Sequence, residues 1–281
     1  MPHLAHALAL TVTHSVRRLA RMRITLVLAA SITLLAAAPL PSAANPIYAW
    51  RGPADAIASG TLEERIAPPP GFVRVAAAPD SWATWLRGLP LKPPGSPVLT
   101  YTGVPKWRQD VHVAVVDIDV GSRDLQQCAD AIMRLRGEWL FAAGRPVAFN
   151  DTDGRRRSFS ARDKSDHAAF RKYMDLVFAY AGTYSMEHEL KPVPPSGIEI
   201  GDVFVKGGFP GHAVLVADMV ENAQTGEKRF LLIQSYMPAQ EMHVLKNPAT
   251  PDGSPWYPAA FAGDLVTPEW TFHPGALHRW P

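Results

Sequence analysis

The stretch GDVFVKGGFPGHAVLVADMV, residues 201–220, decides the fold. Ile200 to Val205 is a run rich in β-branched residues, and Gly207-Gly208-Phe209-Pro210-Gly211 is dense in turn formers. His212 to Val220 then opens a second apolar run, so the segment predicts two strands around a tight connection. The second run is apolar at consecutive as well as alternate positions, which predicts a central strand buried on both faces. A turn at Asn222–Glu227 and the run Phe230–Ser235 supply a partner strand.

Working outward, Val98–Thr102 and Val111–Val120 also alternate and read as strands, with Gly121-Ser122 ending the second. A helix is predicted over Ser122–Ala143. Ser122 or Asp124 can cap it, Asp124 and Gln127 have capping-box spacing, and Leu125, Cys128, Ile132, Leu135 and Trp139 share one face. Gly144-Arg145-Pro146 stops it. Asn150 to Lys164 is polar and reads as a loop or exposed hairpin. Asp166 to about Ala181 reads as a second helix, with Phe170, Tyr173, Val177 and Tyr180 along one side. Lys191-Pro192-Val193-Pro194-Pro195 is a linker, and the chain is Pro-rich after Tyr236. The expected class is α+β, with a helix carrying Cys128 packed on an antiparallel sheet carrying His212.

The chain has 281 residues. Residues 1–44 read as a signal peptide, with the start possible at Met22. Arg23 is its basic region, Ile24–Leu40 its apolar region, and Pro41-Ser42-Ala43-Ala44 the small residues before a cut at Asn45. The alternative, a retained anchor, has an apolar run at the short end of the roughly 20 residues a span needs. The leader holds four of the 28 basic residues and no acid, which leaves 24 against 26 acids. That near-neutral balance offers no electrostatic case for nucleic acid. No later run is long enough to span a bilayer, so no stable span is expected after cleavage and the destination is the periplasm or the medium. Residues 45–96 read as a Pro/Ala-rich extension with a possible helical turn at Ser81–Leu86, and 97–281 as a single α+β domain. Cys128 is the sole cysteine, which excludes an intrachain disulfide and leaves either an inert core thiol or one held for chemistry.

Cys128 falls in the first or second helical turn, where unpaired N–H groups and the helix dipole favour a thiolate. His212 opens a buried strand after a Gly-rich turn, and beside a cysteine it serves as base and acid. Gln234, near the end of the next strand, can orient the imidazole. The backbone N–H of Cys128 belongs to the expected oxyanion hole. Each residue also has a plain structural reading: a small core cysteine, a satisfied core histidine, an amide paired with backbone. Arg134, Tyr236 and Trp256 are the expected substrate-binding residues. Arg134 with Arg136 suits a substrate carboxylate, or is a solvated helix arginine. Ser254-Pro255-Trp256-Tyr257 lines a groove for a sugar or peptide, or packs a C-terminal tail. Asp130 reads as a solvated helix acid, and His243 is an alternative third member. There is no metal signature, phosphate loop or dinucleotide fingerprint, so neither metal nor cofactor is expected.

Gly201-Asp202-Val203-Phe204-Val205, the glycine turn and Gly211-His212-Ala213-Val214-Leu215-Val216 resemble the Gly-Asp strand and His strand of NlpC-type cell-wall peptidases. That resemblance implies a papain-like fold, a nucleophilic Cys at a helix N-terminus and a polar third residue. Those enzymes carry Asp-Cys-Ser-Gly where this chain has Gln127-Cys128-Ala129-Asp130. A resemblance over most of the chain is to a bacterial family filed as domain of unknown function 4846. It rests on Asp124-Leu125-Gln126-Gln127-Cys128-Ala129-Asp130 with Arg134 and Arg136, and on Phe178-Ala179-Tyr180-Ala181-Gly182-Thr183. It rests also on the Gly-Asp and Gly-His strands, Gln234-Ser235-Tyr236-Met237-Pro238-Ala239-Gln240, Ser254-Pro255-Trp256-Tyr257 and Thr267-Pro268-Glu269-Trp270.

Together these features predict an exported thiol hydrolase, an amidase or peptidase acting on cell-envelope, peptidoglycan-type peptides, with a cell-wall peptide or small molecule as its partner. The alternatives are a non-catalytic envelope binding module of the same fold, which the missing Asp-Cys-Ser-Gly motivates, and acyl or transglutaminase-like transfer.

Overall fold

A computed structural model describes residues 48–51, 59–160 and 166–281. The expected signal peptide lies outside the described residues. In chain order the elements are α1 (Leu62–Arg65), β1 (Phe72–Arg74), α2 (Trp82–Arg87), β2 (His112–Val115), α3 (Cys128–Ala142), β3 (Val147–Asn150), β4 (Arg156–Phe159), α4 (His167–Tyr180) and α5 (Thr183–Glu189). There follow β5 (Lys191–Pro192), β6 (Val203–Lys206), β7 (His212–Asn222), β8 (Lys228–Gln234), β9 (His243–Leu245), β10 (Tyr257–Pro258), β11 (Leu265–Val266), β12 (Thr271–Phe272) and β13 (Leu277–Arg279). Among the described residues nine strands join one antiparallel sheet. Its main path is β2-β9-β8-β7-β6-β13-β5, with β1 added to β7 and β10 to β8. The hairpins β3–β4 and β11–β12 stand apart from it. The protein is thus a mixed structure of helices and antiparallel sheet.

Strand β7 is the centre, for the reason its sequence suggests. Ala213, Leu215, Ala217 and Val220 enter the core beneath α3, while Val214, Val216 and Met219 enter a second core with Phe204, Phe230, Leu232 and Phe272. Burying each Val, Leu or Met side chain contributes about 1.5–3 kcal/mol. Both faces being apolar makes any slip of register costly. A bulge between Val216 and Asp218 brings in one buried carboxylate. Asp218 is satisfied by Arg87 Nε at 2.6 Å, Arg74 Nε at 2.8 Å and the Met219 N–H at 2.8 Å, and these bonds tie α2 and β1 to β7.

Several boundaries differ from the sequence reading. The described residues of the expected extension, 48–51 and 59–96, pack into the domain, since Tyr48, Leu62, Trp82, Trp85, Leu86, Leu89 and Leu91 lie in the same core as α3 and β7. Apolar residues spaced among prolines build no periodic pattern, yet they bury as well as any others. The helix expected from Ser122 begins at Cys128. Upstream, Leu125 and Gln127 donate N–H bonds to carbonyls only two residues back, and the Asp124 carboxylate accepts from Gln127 Nε2 and from the Ala239 N–H. The reciprocal cap is made one turn later, where Asp130 Oδ2 accepts from the Gln127 N–H at 3.1 Å. The run 98–102 contributes single bridges at Leu99 and Thr100 rather than a strand, because the chain turns back at Gly103. The predicted strand 111–120 shortens to β2. The polar segment after residue 150 is partly the hairpin β3–β4. No helix among the described residues is long and apolar enough to cross a membrane.

Replacing Asp218 by Ala removes the shared acceptor and leaves Arg87 buried without its counter-charge. A loss of about 3–5 kcal/mol in unfolding free energy is expected, read from urea denaturation. A loss under 1 kcal/mol would show that these bonds do not hold α2 and β1 to the sheet.

Candidate functional site

The starting point is the N-terminus of α3. Cys128 is its first residue, so its N–H and those of Ala129 and Asp130 have no partner within the helix. Ala131 N–H is the first to bond inward, to the Gln127 carbonyl at 2.9 Å. The thiol also meets the backbone N–H of Ala213, the residue after His212. These N–H groups draw the thiol toward ionisation, but burial and the nearby Asp130 carboxylate win, and Cys128 is pushed up to about 12. The expected low thiol pKa is therefore not found in the resting protein.

His212 opens β7. Leu215 stands opposite Ile233, which sets Gln234 diagonally across from His212 on the same face. Gln234 Oε1 lies 3.0 Å from His212 Nε2. Two acceptor-only groups settle the proton positions. Gln234 Nε2 lies 2.6 Å from Glu269 Oε2, a carboxylate that can only accept, so the amide oxygen must face His212. An amide oxygen only accepts, so Nε2 of His212 carries the proton and Nδ1 keeps the lone pair. The same Glu269 oxygen receives Lys106 Nζ at 2.6 Å, both side chains being buried. His243 completes the cluster. Its Nδ1 donates to the Glu241 carbonyl at 2.9 Å, and its Nε2 accepts from Gln234 Nε2 at 3.2 Å. The rings of Tyr236, Trp270 and Phe272 surround His212 with centroids 4.8, 5.4 and 5.8 Å away. Burial lowers His212 to about 4 and His243 to about 3. At neutral pH the thiol and both imidazoles are uncharged.

The approach to His212 requires Gly211. A Cβ there would lie 2.5 Å from the Gly208 carbonyl oxygen and 2.7 Å from that of Lys206, backbone atoms that cannot give way. Any side chain at 211 would push the start of β7 off its register with β6.

Cys128 and His212 open on one cleft of about 640 Å³, also lined by Asp130, Phe178, Tyr184, Phe209, Tyr236, Met237 and Trp270. This size suits a small-molecule or peptide ligand. The structure brings Cys128, His212, Gln234 and Tyr236 together and sets Arg134 and Trp256 elsewhere. Arg134 is fully buried and bonds Glu138, Asp119 and Gln126 at 2.7, 3.1 and 3.0 Å. It is an internal tie. Trp256 lies in a different cavity with Arg65 and Arg229, and its indole N–H donates to the Ala67 carbonyl at 3.0 Å. Asp130 is not the solvated acid that its spacing suggests. It is buried, its Oδ1 has no hydrogen-bond partner, and burial raises its pKa well above the carboxylate range. Arg136 lies over the Trp139 ring, 4.5 Å from its centroid. Lys106 and Glu269 escape the sequence reading as site residues. Glu269 sits within a quoted motif, but its partner is 163 positions away. Among the described residues no cluster of three or more His, Cys, Asp or Glu could hold a metal ion.

Two outcomes follow. By ¹⁵N NMR, His212 is expected as the neutral Nε2–H tautomer from pH 8 down to about pH 5, well below an ordinary histidine's pKa of about 6.5. Titration near 6.5 would overturn the geometry. Unfolded His212 and His243 bind protons that the folded protein refuses, so stability falls as pH drops from about 6.5 toward 4. Thermal midpoints across that window check the sign.

No curated protein and no solved structure matches this chain. A family model described as a domain of unknown function (4846) matches residues 62–164 and 158–279, a span that holds α3, the β6–β8 strands and Glu269. The chain belongs to that family.

Proposed function

We propose that this protein is an exported, papain-like thiol hydrolase that cleaves an amide bond in a cell-envelope molecule. The observation that carries the reading is the proton arrangement at His212. A buried Lys106–Glu269 pair fixes the Gln234 amide, and that amide fixes the imidazole with its free lone pair on Nδ1, in the cleft that Cys128 shares. A histidine kept only for packing does not need its tautomer specified by a buried ion pair.

The chemistry follows from a neutral resting pair. As Sγ of Cys128 attacks the substrate carbonyl, its proton passes to His212 Nδ1, so no standing thiolate is required. The oxyanion that forms is met by the unpaired N–H groups at the start of α3, Cys128 among them. His212 then protonates the departing amine as the C–N bond breaks, leaving a thioester on Cys128. Water, deprotonated by His212, attacks the thioester, releases the acid and restores the thiol. Gln234 keeps Nδ1 aimed throughout, and Glu269 stabilises the imidazolium through the amide. The NlpC-like order of helix Cys, strand His and polar third residue supports the same assignment.

The test is amine release from purified sacculi and from synthetic acyl amides. Cys128→Ala and His212→Gln are expected to lose activity by about 10³-fold or more while keeping the wild-type fold. Full turnover by Cys128→Ala would sink the mechanism. The raised thiol pKa favours a second reading, a binding module that keeps the fold without the reaction. That reading predicts ligand binding untouched by Cys128→Ala and no turnover of any amide.

A further inference from the structure

The walls of the Cys128 cleft differ from a site for an anionic peptide. Among the described residues no lysine or arginine lines it. The acidic side chains among the described residues that line it are Asp124 and Asp130, the latter kept uncharged by burial. Asp124 is engaged by Gln127 Nε2 and the Ala239 N–H, and Asp130 is buried, with Oδ1 left without a partner. A carboxylate carried in here loses its water and meets no cationic side chain among the described residues, only the N–H groups at the start of α3, which the reacting carbonyl takes on the thiol-hydrolase reading.

The rim carries the opposite signal. Phe209 is 95% exposed, Met237 50% and Tyr184 48%, and these three come from three separate elements to one opening. Phe209 stands on the glycine turn before His212, Met237 follows β8, and Tyr184 belongs to α5. Leu125, Phe178 and Trp270 continue the apolar surface inward. Large apolar side chains converging in water mark a binding surface.

We propose that the group seated in this cleft beside Cys128 is apolar and uncharged, a hydrocarbon or aromatic acyl chain, and that carboxylate-bearing groups are excluded. On the thiol-hydrolase reading, on which this rests, that group is the acyl side of the scissile bond.

Two measurements keep the two readings apart. In the first, native protein meets methanethiosulfonate reagents bearing benzyl, trimethylammonioethyl or sulfonatoethyl groups. Cys128 Sγ displaces methanesulfinate and forms a mixed disulfide, and rates are normalised to free cysteine. Benzyl is expected to exceed sulfonatoethyl by about 10-fold, the effect of burying one or two methylene groups. The exposed double variant Phe209→Ser, Met237→Ser should erase much of that preference. In the second, p-nitrophenyl octanoate is expected to acylate Cys128 and release nitrophenolate faster than p-nitrophenyl hydrogen glutarate. Equal or faster reaction of the anionic reagent, or no reaction of Cys128 with the benzyl reagent, overturns the proposal. Selective modification without ester turnover upholds the apolar cleft and overturns the hydrolase. Turnover without preference does the reverse.

Discussion

Strand β7 leaves neither face to water, and the rest of the architecture answers to that constraint. One face requires α3 and the segments 48–51 and 59–96 above it, and the other requires β10 to β12 and the aromatic core around Phe230. The strand carries two polar exceptions among its buried residues, Asp218 and His212, and each is met by partners far away in sequence. Asp218 gathers the N-terminal elements. His212 gathers residues from the loop before β2 and from beyond β11. Packing thus decides the position of the strand, and hydrogen bonding decides which remote segments close over it.

The electrostatics of the cleft follow from the same dryness. In water an imidazole and a thiol beside a helix terminus would share a proton readily. Here desolvation outweighs the helix N–H groups, so both groups stay uncharged at neutral pH. Asp130 falls under the same rule, and its raised pKa keeps a third charge out of the site. The cleft is neutral because it is buried.

Much of this is legible in the sequence, and the limits have physical causes. The central strand, its hairpin partner and both long helices are visible, because periodicity and turn residues are local signals. The start of α3 is displaced by six residues because Asp124 takes a partner at Ala239 rather than capping the helix. The meeting of His212 and Gln234 is readable from strand order, since neighbouring strands place diagonal residues together. Lys106 and Glu269 are not readable, because nothing in the run around either names a partner 163 positions away. Arg134 and Asp130 mislead for a common reason: polar residues on a helix are ordinarily solvated, and here both turn inward. Arg134 finds two acids there, and Asp130 has only one of its two oxygens bonded.

Because the carboxylate that aligns Gln234 belongs to residue 269, the imidazole has no fixed orientation until nearly all of the fold is in place. A chain emerging from synthesis exposes its thiol long before the imidazole is aimed at anything. The order of residues along the polypeptide thus acts as a timer, in which the thiol comes early and the carboxylate that orients the imidazole comes late.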